Sequence, residues 1–300
     1  MAEVSTTVAS AGSRPLLSRR TKALLYKAFI IALILPGALS FLAPFIWMVS
    51  TSLKDPRLVF LFPPQIIPDP VRWDNYARVF AKLPLYLYAW NTVQITVFAM
   101  IGQVLTASFC AFGFARMRFP ARDFWFLVLL STIMLPSQVT LIPTFVIFRY
   151  MGWVNTFLPL IVPYWFGGTA FSVFLLRQFI STVPLELDDA AKIDGCSAFG
   201  IYWRIVLPLV KPALAAVAIF AFLQHWNDFF TPVIYINSKD NFTLTLALNF
   251  LRGADDSGGF QVFMELLMAA AVMAMIPPVL VFFFAQKYFI QGIVFTGVKG

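Results

Sequence analysis

The chain has 300 residues, 60% hydrophobic and 17% aromatic, with 34 phenylalanines and only 12% charged residues. A soluble domain carries about a quarter charged residues, so this composition excludes one and points to lipid as the solvent. The net charge of +8 would suggest nucleic acid in a soluble chain; here it is the excess expected of cytoplasmic loops, and no nucleic-acid partner is expected.

Residues 1–27 begin rich in Ser, Ala and Thr, carry Arg14, Arg19, Arg20 and Lys22, and read as a cytoplasmic tail. The uncharged run 28–53 is too long for a signal-peptide core and reads as a retained first span. Pro36 and Pro44 predict kinks in it. Residues 54–82 form a Pro-rich extracytoplasmic loop with Trp73 and Tyr76. The run 83–115 exceeds one crossing, so its start, with Tyr86, Tyr88 and Trp90, is placed at the outer interface. Arg116, Arg118 and Arg122 make a short basic turn. The third run, 124–148, holds Pro136 and Pro143. The fourth, 150–176, holds Gly167-Gly168, a pair that fits close helix packing or a local break lining a cavity.

Next comes the longest charged island in the second half, the cytoplasmic loop 177–211, with Glu186, Asp188, Asp189, Lys192, Asp194, Arg204 and Lys211. A few residues suffice to join spans, so a loop this long has a purpose. Pro184 suits the first position of a helix. Glu186, Asp188 and Asp189 then sit in its first turns, where carboxylates favour the positive end of the dipole. Gly195 is placed to end the helix in a left-handed cap. Leu187, Ala190 and Ala191 share one face, and small side chains there would admit another backbone. A second helix, over about 198–207, offers Phe199, Tyr202, Trp203 and Val206 as an aromatic side suited to the membrane interface. Pro208 and Pro212 interrupt the chain before the next span.

The fifth run, between Lys211 and Asp228, is the shortest. Residues 237–261 are a polar extracytoplasmic loop with Gly253 and Gly258-Gly259, and 266–286, with Pro277-Pro278, is the sixth run. Sorted to alternate sides, fourteen of the 22 Lys and Arg fall on the side of the termini and the island, which places both termini in the cytoplasm. The expected class is an all-α integral membrane protein, with residues 28–300 forming one six-span transmembrane domain.

Asp189-Ala190-Ala191, Gly195 and Leu207-Pro208 resemble the EAA loop in membrane subunits of ATP-binding cassette importers. The surrounding PLELDDAAKIDG and RIVLPLVKPAL are similar to the carbohydrate-uptake branch, and to the subunit related to the smaller maltose-transporter permease. So are Trp226-Asn227-Asp228-Phe229 and the C-terminal Gln286-Lys287-Tyr288-Phe289 through Gly292 to Lys299-Gly300. The resemblance covers most of the chain after residue 85. The family's usual Glu is Asp189 here, one methylene shorter, so a shorter or water-bridged contact is expected there.

The resemblance implies the type I importer permease fold, with the island as a two-helix coupling loop seated in a groove of a separate ATPase subunit. Glu186, Asp188, Asp189, Ala190, Ala191, Asp194 and Gly195 are the implied coupling residues. Asp189 would bind the partner, Ala190 and Ala191 would permit close approach, and Gly195 would set the bend. Further implied partners are a second permease, two ATPase subunits or domains, and an extracytoplasmic solute-binding protein that meets the 237–261 loop. ATP and Mg would sit on the ATPases, and this chain would bind no cofactor. The implied cargo is a sugar or oligosaccharide, with glycerol-phosphate or a polyol as the alternative, moved by alternating access.

No lysine follows a glycine, so the P-loop G-x-x-x-x-G-K-[ST] is absent; G-x-S-x-G and H-E-x-x-H are absent too. An intramembrane enzyme therefore has no constellation to support it. Cys110 and Cys196 show no disulfide or metal spacing, and the single histidine, His225, reads as a packed residue. A gradient-driven carrier or channel is the competing class. It would need buried carboxylates for ion coupling, and Asp228 and Glu265 lie only near the ends of runs. The candidate substrate path comprises Trp226, Asn227, Gln94, Gln103 and Gln138. Trp226-Asn227 reads either as an aromatic-belt residue with a polar cap or as a ring stacking on sugar beside a hydrogen-bonding amide. The glutamines either line a path or join helices.

Overall fold

The structure, a computed structural model, describes residues 19–251 and 263–294. The tail up to residue 18, Gly253, Gly258-Gly259 and the closing Lys299-Gly300 lie outside the described residues. Every regular element among those described is helical.

The first apolar run forms α1 (Arg19–Ser52), which continues through Pro36 and Pro44 as one helix. Its apolar side chains face outward, Phe41 by 81%, a surface that lipid accepts without penalty because the helix satisfies its own backbone. The outer loop then folds back on itself. Asp55 accepts from the Arg57 amide at 3.1 Å and from the Arg72 guanidinium at 2.7 Å. These contacts hold its carboxyl below the usual carboxylate range. From α2 (Asp74–Lys82) the Asn75 amide donates to the Ser52 and Lys54 carbonyls.

The central element is α3 (Leu85–Arg116), about 48 Å long at 1.5 Å per residue. Tyr86 and Trp90 are exposed near its start, as belt residues should be, but Tyr88 is buried against Phe242. The third run is broken into α4 (Arg122–Ser131) and α5 (Ser137–Tyr150). Leu135 is extended before Pro136, as the proline ring requires of its predecessor. The fourth contains α6 (Leu158–Ile161), a 3₁₀ turn (Val162–Trp165) and α7 (Ala170–Thr182). The island holds α8 (Glu186–Ile193) and α9 (Ala198–Ile201), which runs through a π-helical stretch (Tyr202–Val206) into α10 (Leu207–Leu209). Then follow α11 (Lys211–Trp226), α12 (Phe230–Tyr235), α13 (Leu244–Phe250) and α14 (Met264–Val294).

Among the described residues, four segments are long and apolar enough to cross a bilayer without pairing with another: Leu24–Ser52, Leu85–Arg116, Leu158–Thr182 and Met264–Gln286. Two bent pairs, Arg122–Met134 with Gln138–Tyr150 and Ala198–Leu209 with Lys211–Trp226, make six if each counts as one span. The second pair turns by 79° at Val210, which explains why the fifth run is so short in sequence.

Helix α3 packs against both α7 and α11, while α14 covers α1, α2 and α11. One apolar cluster, near Ile95, Leu246 and Leu266, fills one half of the bundle; another, near Ala111, Leu176 and Val217, fills the half that carries the island. Both readings of the glycine pair hold. Gly167 and Gly168 break the span at φ of 97° and 65°, and Gly168 lies directly on α3.

Candidate functional site

The island is fixed to the C-terminal ends of α3 and α7. Helix α8 carries Glu186, Asp188 and Asp189 in its first turn. It ends in a Schellman cap: the Gly195 amide donates to the Lys192 carbonyl at 3.0 Å and the Cys196 amide to the Ala191 carbonyl at 2.8 Å. Gly195 sits at φ 77°, the left-handed region this cap requires. Ser197 then caps α9 by accepting from the Gly200 amide.

The faces of α8 differ from expectation in one respect. Leu187 and Ala190 point outward, but Ala191 is only 8% exposed and packs into the cluster of Ala111, Leu176 and Val217. Asp188 is buried beside it. The reason is Arg116, which fills the space between α3, α7 and α8. Its guanidinium donates to the Ile180 and Val183 carbonyls at 3.0 and 2.6 Å. Its Nε lies 3.5 Å from Asp188 Oδ2, with both side chains buried.

The outward surface is formed by Glu186, Leu187, Asp189, Ala190, Ile193 and Asp194. Ile193 is 87% exposed at the tip. Asp189 accepts from Lys192 at 2.8 Å, and this bond and the ammonium's charge hold its carboxyl below the ordinary value. The pair is open to solvent, so it adds little stability and leaves Asp189 ionised for a partner.

The aromatic side of the second helix is also divided. Phe199 and Trp203 are exposed and stack on each other at 6.4 Å. Tyr202 and Val206 turn inward; the Tyr202 hydroxyl pairs with Ser108 Oγ at 2.7 Å, and its ring lies on Phe109 and Phe112.

The candidate substrate path is not assembled here. Gln103 is 2% exposed and spends both ends of its amide on neighbouring helices. Its Nε2 donates to Ser172 and Thr169 of the fourth span, and its Oε1 meets His225 Nε2 at 2.9 Å. His225 is packed edge-on to Tyr164 at 4.3 Å. This is a helix-joining node, the alternative reading of an intramembrane glutamine. Trp226 is 5% exposed, stacked on Phe222, and donates its indole N–H to the Ala274 carbonyl at 3.1 Å. Its ring offers no open face to a sugar in this structure. Asn227 is exposed but bonded to the Leu223 carbonyl. Gln138 is exposed and Gln94 half-buried.

Three polar residues that the sequence reading passed over organise the molecule. Arg116 counted only towards orientation. Asn91 donates to the Asp240 and Phe242 carbonyls. Asn155, at φ 64°, accepts from the Asn237 and Ser238 amides. The two asparagines pin the segment 237–242 to the bundle. Nothing in a single sequence marks them, because their partners lie more than eighty residues away.

Residues 103–294 match the family model described as binding-protein-dependent transport system inner membrane component. The arabinooligosaccharides transport system permease protein AraQ of Halalkalibacterium halodurans is 35% identical over 253 residues, 84% of this chain and 86% of that protein. The sn-glycerol-3-phosphate transport system permease protein UgpE of Yersinia enterocolitica is 31% identical over 273 residues, 89% of this chain and 95% of that one. Among solved structures, a bacterial ABC transporter involved in import of the acidic polysaccharide alginate shares the fold. Its TM-score is 0.78 at 22% identity, over 92% of this chain and all of that one.

Proposed function

The chain belongs to the family of binding-protein-dependent transport system inner membrane components, and on that premise we propose that α8 is the lever through which a separate ATPase drives it. The protein is a permease subunit of an ATP-binding cassette importer and not itself an ATPase. Its cargo is a sugar or oligosaccharide, in line with its resemblance to a permease for arabinooligosaccharides; its resemblance to a permease for sn-glycerol-3-phosphate keeps a glycerol-phosphate or polyol as the alternative. A second permease subunit, two ATPase subunits and an extracytoplasmic solute-binding protein complete the assembly, with both termini of this chain in the cytoplasm. Closure of the ATPases pushes α8, the bundle opens outward, and the substrate enters from the binding protein; separation after hydrolysis reopens it inward.

The observation that carries this reading is the tip of α8. A short acidic helix, rigidly capped, holds an isoleucine in open water at the end of two spans. Leu187 and Ala190 are exposed beside it at i, i+3, i+6 spacing, with Glu186, Asp189, Lys192 and Asp194 around them; an exposed apolar strip with a polar rim marks a protein contact. The gradient-driven alternative lacks the carboxylates it needs. Glu265 is the single carboxylate in the four continuous spans, and it sits at the outer end of α14, 3.7 Å from Arg78.

Ile193→Asp tests the reading, because an exposed side chain can change without cost to the fold. Uptake should fall at least ~10-fold, as for a hot-spot residue worth about 2 kcal/mol, with unchanged membrane abundance. Uptake at the wild-type rate would remove α8 from the coupling path.

A further inference from the structure

We propose that Arg116 is a positioning residue for coupling: it locks α8 to the ends of α3 and α7, so that a push on α8 moves both spans together. The inference rests on the coupling role of α8 but concerns residues that face away from any ATPase.

The geometry is specific. Arg116 is the last residue of α3. Its guanidinium bonds the carbonyls of Ile180 and Val183, at the end of α7, where a helix leaves carbonyls unpaired and favours a cation. The same side chain faces Asp188, the inward carboxylate of α8. Helix α3 thus meets the consecutive helices α7 and α8 on one buried guanidinium, whose side chain is 4% exposed against 6% for Asp188.

The pair is also incompletely satisfied. Arg116 Nε and Asp188 Oδ1 have no hydrogen-bond partner among the described residues, and the closest approach is 3.5 Å. A buried pair in that condition contributes little to stability, since desolvation offsets most of the attraction. What it does supply is direction. Backbone between Val183 and Glu186 could bend under load; with the clasp in place, α8 cannot swing without dragging Arg116 and the two carbonyls it holds. Arginine suits this task because its planar fork serves several acceptors at fixed angles, which a lysine ammonium does not.

The test uses the complete transporter in proteoliposomes and reads ATP hydrolysed per substrate moved. A merely structural role would lower hydrolysis and uptake in parallel and leave that ratio fixed. For Asp188→Asn, isosteric and neutral, hydrolysis should persist while uptake falls. The ratio should rise ~5-fold or more, the lower end of typical coupling between linked sites, and Asp188→Glu should bring it back towards wild type. Should Asp188→Asn fail to assemble, the ratio is read on Arg116→Lys, which keeps the charge and loses the fork. An unchanged ratio in the assembled variant overturns the clasp. Ile193→Asp separates the two claims: if it is inactive while Asp188→Asn stays fully coupled, only the clasp is wrong. If Ile193→Asp transports normally, the coupling role of α8 itself fails.

Discussion

Replacing Gly195 with proline is expected to abolish uptake while the protein remains in the membrane. Gly195 adopts φ 77°, whereas a proline ring fixes φ near −65°. Proline also lacks the N–H that Gly195 donates to the Lys192 carbonyl, and the turn it would force displaces the Cys196 amide from Ala191. Both bonds of the cap are lost, so α8 leaves the bundle at a different angle and the Ile193 tip moves with it. The spans hold no part of this turn, which is why insertion should survive. Gly195→Ala provides the contrast. Nothing lies within 4 Å of the added methyl group, so its cost is the left-handed strain alone, about 1–2 kcal/mol, and most uptake should remain. Uptake assays paired with immunoblots of the membrane fraction check both. Wild-type uptake by Gly195→Pro would show that the angle of α8 is irrelevant.

The largest expected effect on stability is at Gly168, and Gly168→Val should leave little folded protein. A Cβ at Gly168 would stand 2.7 Å from the Gln103 carbonyl and 2.9 Å from the Ala107 methyl, both on α3, with φ at 65°. Left-handed strain of about 1–2 kcal/mol adds to an overpacking cost of about 1–3 kcal/mol, against a stability of only about 5–15 kcal/mol. The clash also falls beside the Gln103 node, whose bond to Ser172 depends on the close approach of α3 and α7. Gly167→Ala should be milder, because its nearest neighbour is Cys110 Sγ at 3.8 Å and only the backbone strain of φ 97° remains. Thermal denaturation in detergent compares the two. Equal melting temperatures would mean that α3 and the broken fourth span are not tightly packed.

Much of this was legible in the sequence for a simple reason: lipid imposes length and polarity on spans residue by residue. The runs, the charged island and the Gly195 stop of α8 are local signals, and the structure keeps them; Pro184 lies one residue before the N-cap Leu185 rather than at the first helical position. What one sequence hides is which side of a helix meets the bundle. Leu187, Ala190 and Ala191 lie on one face by spacing, yet Ala191 and Asp188 turn inward because an arginine from α3 waits there. Likewise Tyr202 and Val206 belong to the core rather than the interface. Trp226 and Gln103 looked available to a substrate because their partners, the Ala274 carbonyl and the Ser172 and His225 side chains, sit on other elements or become neighbours only after folding.

The most direct measurement is photocrosslinking from position 193 in the intact membrane complex. A photoreactive residue replacing Ile193 should form an adduct with the nucleotide-hydrolysing subunit, and ATP should change its yield. Adducts to lipid alone, or to this chain alone, would contradict the assignment of α8 as the element that receives the ATPase's work.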